Sequence, residues 1–522
     1  MRNVLAGLSL VSMGELNSIY MVWYKKISRN VRWVEFSGIY EAGHLNLNNK
    51  VKSAALWSAF EALSSSLLSV ISIIFLARIL IPEDYGQIAT AQIIAALVLM
   101  LLGFGLTEAV IQKKELTQEH LFSAFWGSLG LAIVGFLVCL SIAAYFHLTS
   151  KNENIPIILI FEGVGVFLNL VVMLPTAMLL RNLEMSAFTK RTIFSRLMFF
   201  AVAVPMALKG FGLWSIVFAN LVQVIIATVL VFYAARNLLP GWGRFSKAHF
   251  LELTSFGVFV MIENLLWSVM SRVFSLLIFN FHGTSALGLF NMATRLTDAI
   301  LSILNTVIGR IALPLFSSVQ HDSDKLKSAF KKATFIFNLV SMPAFFGIAL
   351  TCEYWLPIVL GEQWRDAIPV IQIIAVMNGI MFSRTFVGTL MKAIGESRRF
   401  LYLSAVAAVT TVIAAVVTRD MTLIDTIGAW SAARVLITIP VGIWLMNKIF
   451  GMTGYDQLSP VIVPFVSSLI MAGVIVLTSF IVEKYTDSSL VMSAIQITVG
   501  AISYAIICLL LSKSKLISTA IR

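Results

Sequence analysis

Ionisable side chains occur inside apolar segments of this 522-residue chain, where they could bind an anion or move protons. A charged group at the centre of a bilayer costs about 2.5–3.5 kcal/mol even on the mildest scale. Arginine stays charged and binds phosphate oxygens through two parallel hydrogen bonds. We therefore predict a site for an anionic ligand, with carboxylates that neutralise the arginines or carry protons. The groups that lie deepest are Arg272, Arg295, Arg384, Arg434, Glu61, Glu162, Glu263 and Asp298.

The densest polar pattern is the segment "NMATRLTDAILSILNTVIGR", residues 291–310. The opposite surface of the same helix is apolar apart from Thr297. One interpretation is that Arg295 and Asp298, three residues apart, pair and fix a helix contact. The length of the stripe favours the other interpretation, a water-filled cavity. At 100° per residue, one arc about 120° wide contains Asn291, Thr294, Arg295, Asp298, Ser302, Asn305 and Thr306.

Weaker polar stripes occur around Glu61 and around Glu263. Small polar residues on a membrane helix line a lumen or allow close helix packing, and both interpretations stay open. We assign substrate binding to Arg272, Arg295, Arg384, Arg434, Asn291 and Asn305. We assign ion coupling or gating to Glu61, Glu263, Asp298 and Glu162, with Asp298 also as a partner of Arg295.

The elements that position these groups are transmembrane helices. The chain is 59% hydrophobic and only 12% charged, with a mean hydropathy of +0.91. Soluble domains carry about 25% charged residues, and about 20 apolar residues cross a membrane. We predict an all-α polytopic membrane protein with about fourteen spans: 54–80, 86–110, 121–146, 155–180, 190–208, 213–235, 252–281, 286–312, 333–357, 367–391, 400–418, 425–447, 460–482 and 488–511. These are numbered spans 1 to 14 below.

The net charge of +12 is not evenly distributed. Of the 38 Lys and Arg residues, 26 lie in the terminal segments and alternate loops of one side, and five lie on the other. This bias is the positive-inside signal. It predicts an even number of spans with both termini in the cytoplasm, surrounded by membrane lipids and without a nucleic-acid partner.

The three cysteines are far apart in sequence and form no CxxC pair, so we expect no disulfide, metal site or cofactor. Residues 1–50 form a poorly defined cytoplasmic segment. Its basic and aromatic stretch "WYKKISRNVRW" could lie on the inner leaflet, or the whole segment could be a poorly ordered leader.

A weak internal repeat divides the spans into halves. A shift of 202 residues places Glu61 on Glu263 and Gly86 on Gly288. Six spans per repeat give two halves of the same orientation. We predict a six-helix lobe over 51–248, a second over 249–450, and accessory spans 13 and 14 with a cytoplasmic tail over 451–522.

Loop motifs occur in an order that resembles a known family. The likeness is to the polysaccharide transport family of the multidrug/oligosaccharidyl-lipid/polysaccharide exporter superfamily, with its O-antigen, exopolysaccharide and colanic acid flippases. It runs from about residue 53 to the end. It rests on "LARILIPEDYGQIA" (76–89), "GFGLTEAVIQKKELTQEHL" (103–121), "KGFGLWSIV" (209–217), "LGLFNMATRLTD" (287–298), "LPLFSSVQHDSDKLKSAF" (313–330), "LGEQWRDAIPVIQIIAV" (360–376) and "LMKAIGESRRF" (390–400).

The resemblance implies two six-helix lobes in a V, with spans 1, 2, 7 and 8 lining a central cavity. It implies a flippase that moves an undecaprenyl-pyrophosphate-linked oligosaccharide to the outer leaflet by alternating access, often coupled to protons. Arg272 and Arg295, in spans 7 and 8, would bind the pyrophosphate, and Arg384 and Arg434 rank second. A polysaccharide polymerase is a further expected partner.

Three alternative functions stay open. A small-molecule cation antiporter of the same superfamily needs a site with net negative charge, whereas the deep set holds four arginines and four acids. A membrane polymerase or ligase of lipid-linked sugars typically needs a large outer loop, and the outer loops here are short. A scrambling membrane protein without coupled transport is the third. We expect a transporter and not an enzyme.

Overall fold

The computed structural model describes residues 36–103, 105–113, 115–149, 152–239, 243–304, 316, 319, 322–393 and 396–513. Throughout these residues the regular secondary structure is helical and no strand occurs, which confirms the all-α prediction. By length and composition, 12 of the described helices can cross a membrane. The shorter apolar helix Tyr402–Val417 and the joining of spans 7 and 8 into one continuous helix account for the difference from about fourteen.

Spans 1 to 6 are built from eight helices, because spans 2 and 4 are each interrupted. The break in span 2 falls at Gly105, whose φ of 57° is a left-handed conformation that glycine adopts readily. Span 4 is interrupted at Val172. The helices are Phe36–Ala77, Pro82–Leu102, Leu106–Gln112, Gln118–Thr149, Asn154–Val171, Met173–Arg181, Met185–Leu208 and Trp214–Ala235.

Spans 7 and 8 form one helix with a kink at Gly283, where φ is 86°. Short 3-10 helices at Glu362–Ala367 and Phe382–Arg384 flank or interrupt span 10, and a π-helical turn at Arg434–Thr438 interrupts span 12. The helices of this part are Lys247–Leu304, Ser323–Leu360, Ile368–Met381, Thr385–Ala393, Ser397–Val417, Leu423–Ala433, Ile439–Phe450, Gly454–Val482 and Ser489–Lys513.

Polar side chains fix several helix starts at the membrane boundary. The carboxylate of Asp322 accepts from the backbone N–H of Lys325 at 3.1 Å, and this hydrogen bond lowers the pKa of Asp322. Thr422 with Asp425, and Thr453 with Asp456, form reciprocal capping boxes at the starts of spans 12 and 13. The short loops therefore leave little freedom in where these spans begin.

Residues 58–522 form one compact unit. Residues 1–57 form a separate unit, whose described part is helical. The predicted interfacial segment "WYKKISRNVRW" lies outside the described residues. In the larger unit the main apolar core joins spans of both predicted lobes, through buried rings that include Tyr85, Phe274, Trp364 and Trp430. Below, the predicted cytoplasmic side is called the inner side and the opposite side the outer side.

Candidate functional site: two polar cavities inside the membrane

A central cavity of about 620 Å³ lies between spans 1, 2, 5, 6 and 8. Its charged lining groups are Arg196, Arg295 and Asp298. The wall that span 1 contributes is the predicted serine stripe, with Ser65, Ser66, Ser69 and Ser72. Amide side chains complete the polar lining: Gln92, Asn220 and Gln223.

Arg295 is held in this cavity by groups of span 2. Its guanidinium donates to the side-chain oxygen of Gln92 at 3.3 Å and lies 5.8 Å from the centre of the Tyr85 ring. The carboxylate of Glu162, from span 4, lies next to the same Gln92 side chain. Among the described residues no ion pair joins Arg295 to Asp298, and Arg295 instead donates to Gln92. A polar relay through Gln92 therefore connects Arg295 to Glu162 across spans 8, 2 and 4.

The cavity contains a second arginine that the sequence analysis did not include in the site. Arg196 of span 5 donates to the backbone oxygen of Ser65 at 2.9 Å and also to the hydroxyl of Ser69. Its charge lies near Glu61 of span 1. The pair Asn220 and Gln223, three residues apart in a largely apolar span 6, is a sequence signal that could have identified this wall.

A second polar cavity of about 380 Å³ lies among spans 2, 7, 8, 10 and 12. Arg272 and Arg434 line it, together with Asp298. The predicted substrate residues are thus divided between two cavities, and Asp298 is common to both. The amides that line the second cavity are Asn291 and Asn378.

Other predicted site residues lie elsewhere. Arg384 is not among the described residues that line either cavity; it donates to Gln457 of span 13 at 2.8 Å. That bond joins span 10 to the helix Gly454–Val482, and a second guanidinium nitrogen of Arg384 is buried without a partner among the described residues. Glu61 lies near Arg191 and Arg196. Asn305 and the side chain of Glu263 lie outside the described residues. In the part of the chain that is described, no cluster of three or more His, Cys, Asp or Glu side chains could hold a metal ion.

At the outer ends of the spans, close contacts join the two predicted lobes. Trp364 and Gln363 donate to the backbone oxygen of Ala77, at 2.8 and 2.7 Å, and cap the end of span 1. Gly86 of span 2 and Gly288 of span 8 pack backbone against backbone. A Cβ on Gly86 would overlap the carbonyl of Thr284, and a Cβ on Gly288 would overlap that of Pro82. These two glycines are the pair that the predicted repeat superimposes.

At the inner side a histidine–carboxylate cluster joins the starts of spans 3 and 7. His120 contacts Glu252 at 3.0 Å, and His249 contacts Glu119 at 3.2 Å, so each helix supplies one histidine and one carboxylate. The two imidazole rings meet edge to face, 4.5 Å apart. Lys113 also binds Glu252. Contacts therefore connect the predicted lobes at both membrane surfaces.

We expect Arg196→Gln to lower activity about tenfold, because a charge-assisted hydrogen bond in a low-dielectric site contributes about 1.5–3 kcal/mol. Complementation of a strain that lacks this gene, with membrane abundance checked by immunoblot, measures the effect. The matched control is Arg191→Gln, one turn away on the same helix and also near Glu61. Equal activity in the two variants would contradict a role for Arg196 in the cavity.

We expect the double variant Glu119→Gln, Glu252→Gln to loosen the inner contact between spans 3 and 7, since both histidines lose a charged partner. Distance measurements between spin labels at Gln118 and Lys247 should show a longer mean and a broader distribution. Glu362→Gln, which removes an exposed pair with Arg365 on the outer side, is the control. An unchanged distance distribution in the double variant would show that the two carboxylates do not hold the starts of spans 3 and 7 together.

An all-helical bundle of apolar spans with polar cavities between them defines a multi-pass membrane protein. A family model described as polysaccharide biosynthesis protein matches residues 75–369. The chain therefore belongs to the polysaccharide biosynthesis protein family.

Curated relatives carry related names. The lipopolysaccharide biosynthesis protein WzxC of Escherichia coli (strain K12) is 24% identical over 67% of this chain and 71% of its own. The succinoglycan biosynthesis transport protein ExoT of Rhizobium meliloti (strain 1021) is 22% identical over 88% of this chain and 93% of its own. These relatives are named for polysaccharide synthesis and transport.

Among solved structures, the fold is similar to the lipid II flippase MurJ in an inward closed conformation, with a TM-score of 0.66. The sequences are 15% identical, and the match covers 88% of this chain and 99% of that one. A multidrug resistance MATE family transporter in an inward-facing conformation matches with a TM-score of 0.54, over 75% of this chain and 98% of that one. At these identities the likeness concerns the fold alone.

Proposed function

We propose that this protein is a flippase that moves an undecaprenyl-pyrophosphate-linked oligosaccharide from the inner to the outer leaflet of the bacterial inner membrane. The observation that supports it best is the central cavity, where Arg295 and Arg196 contribute cationic groups from spans of both predicted lobes. Guanidinium groups bind the oxygens of a pyrophosphate through paired hydrogen bonds. Serine and amide side chains on the same walls provide hydrogen bonds for sugar hydroxyls.

The lipid chain would lie in a neighbouring apolar pocket. This pocket has a volume of about 600 Å³ and lies between spans 8, 9, 13 and 14. Ile300, on span 8, lines it two residues after Asp298 of the central cavity. A lipid-linked substrate needs a polar and an apolar site side by side, and span 8 separates two such sites here. The accessory spans 13 and 14 would thus help to bind the lipid chain of the substrate.

Transport would follow alternating access, with rocking of the lobes 51–248 and 249–450 around the central cavity and both termini in the cytoplasm. Carboxylates near the arginines would couple the cycle to ions or gate it, namely Glu61, Glu162, Glu263 and Asp298. Because Gln92 contacts both Arg295 and Glu162, a change in the charge of Glu162 would act on Arg295 through it. A polysaccharide polymerase would receive the product in the outer leaflet.

The charge of the central cavity weighs against a cation antiporter. Its described lining carries two guanidinium groups and one carboxylate, whereas a cation site needs the opposite balance. A polymerase or ligase of lipid-linked sugars would need a place for an acceptor outside the membrane. The described outer loops instead form contacts between spans, such as the hydrogen bonds that Trp364 and Gln363 donate to the backbone oxygen of Ala77.

The decisive experiment is a leaflet-resolved transport assay with purified protein in liposomes. A labelled lipid-linked oligosaccharide is supplied, and its appearance in the second leaflet is followed with a membrane-impermeant sugar-modifying reagent. We expect movement in liposomes that contain the protein and none in empty liposomes. Transport of an organic cation instead, lengthening of the glycan, or equal movement of phospholipids without a glycan would each identify one of the alternatives.

A further inference from the structure

We infer that the second polar cavity is a separate binding site for one small monovalent anion, such as chloride or a carboxylate ion. It is the cavity lined by Arg272, Arg434, Asp298, Asn291 and Asn378. This inference goes beyond the proposed transport function, because it assigns a resident ligand that is distinct from the transported molecule. It depends on charge, on unsatisfied hydrogen-bonding groups and on the way Arg434 is held.

The charge of the cavity is unbalanced. Two guanidinium groups face one carboxylate, so the described lining has a formal surplus of one positive charge. Within the described part of the chain, none of the five polar side chains forms an ion pair or a side-chain hydrogen bond with another residue. An uncompensated charge inside a membrane protein costs several kcal/mol. One monovalent anion restores neutrality.

Unsatisfied polar atoms are present in the same place. The Nε of Arg434 and the Oδ1 of Asn291 are buried and have no hydrogen-bond partner among the described residues. Buried donors without partners are rare in folded proteins, because each costs about 1–3 kcal/mol. A rotation of the Asn291 amide group presents its NH₂ to the cavity. The Nε of Arg434 and the rotated Asn291 amide can then both donate to an anion in the cavity.

The position of Arg434 is fixed by its surroundings and not by an acidic partner. It begins the π-helical turn Arg434–Thr438, a feature that is frequent at functional sites. Its guanidinium lies over the Trp430 ring, 5.2 Å from the ring centre. Trp430 is stacked on Phe274 at 4.5 Å and donates to the hydroxyl of Thr411 at 3.2 Å. The charge is thus pre-positioned, as a binding site requires.

Chloride binding to the purified full-length protein tests this inference, with radioactive chloride and with gluconate as the replacement anion. We expect saturable binding of one chloride per chain. Arg434→Gln and Arg272→Gln should each weaken it at least tenfold, the loss expected for one charge-assisted hydrogen bond. Arg434→Lys, which keeps the charge but loses the planar guanidinium, should retain part of the affinity.

Arg295→Gln is the matched control, since it removes a guanidinium from the central cavity only. It should leave chloride binding unchanged. Loss of chloride binding in Arg295→Gln with retention in Arg434→Gln would overturn the inference, and so would the absence of saturable binding. A second arm adds undecaprenyl pyrophosphate. Full competition with chloride would show that the cavity belongs to the transported lipid, whereas failure of the proposed transport leaves the chloride result standing.

Discussion

Gly86→Ala and Gly288→Ala are each expected to abolish most transport by preventing closure of the outer side. The methyl group would overlap a carbonyl of the opposite span, Thr284 or Pro82, and a backbone atom cannot move aside as a flexible side chain does. Overpacking of this kind costs about 1–3 kcal/mol, which shifts a two-state equilibrium by up to about 100-fold. The arrangement in which Gly86 and Gly288 are in contact would lose that much population.

The shift is measured by the labelling of a cysteine at position 299 in a variant without the three native cysteines. Ala299 lines the central cavity, so a membrane-impermeant reagent added outside reaches it only when the outer side is open. We expect faster labelling in both glycine variants and at least tenfold lower polysaccharide export. Gly130→Ala is the control, because a Cβ there meets open space. Slow labelling with normal export in Gly86→Ala would contradict the closure mechanism.

The sequence predicted the spans well because each boundary depends on local chemistry. An apolar run of fixed length between polar loops must cross the membrane, whatever its neighbours are. The repeat also aligned Gly86 with Gly288, although a match of two glycines says nothing about their contact. That contact depends on the crossing of spans 2 and 8, which no local pattern encodes. The breaks at Val172 and at Arg434–Thr438 do carry a local signal, because Pro175 and Pro440 follow them and each removes a helical hydrogen bond from the preceding turn.

The polar groups of the site could be predicted only as a set. The stripe on span 8 indicated a cavity, but its arc is wide enough to face two neighbours at once. The structure accordingly places Arg295 in the central cavity and Asn291 in the second, with Asp298 lining both. Arg196 was missed because its place near the end of span 5 suggested contact with the inner surface. Which helix lies opposite a side chain is a tertiary property that periodicity does not contain.

We expect Arg295→Gln to reduce export about 100-fold or more, the largest effect of any single charge in the central cavity. Two parallel hydrogen bonds to phosphate oxygens and one buried positive charge are lost together. Arg295→Lys keeps the charge but loses the planar fork, so its activity should lie between those of Arg295→Gln and the wild type. Complementation with immunoblots of membrane fractions, followed by the liposome assay, measures both variants. Arg365→Gln, in an exposed outer loop, is the control.

Gln92→Leu separates binding from positioning in the same experiment. The Gln92 side chain accepts a hydrogen bond from Arg295 at 3.3 Å and also lies next to Glu162. Its replacement therefore keeps the positive charge of Arg295 but removes the group that positions it. We expect a smaller decrease than in Arg295→Gln, and a double variant no worse than Arg295→Gln alone, because residues in one network are not additive. If Arg295→Gln and Asp298→Ala both export normally at normal abundance, span 8 does not bind the substrate. If the loss of activity in the double variant equals the product of the losses in Gln92→Leu and Arg295→Gln, Gln92 acts on something other than Arg295.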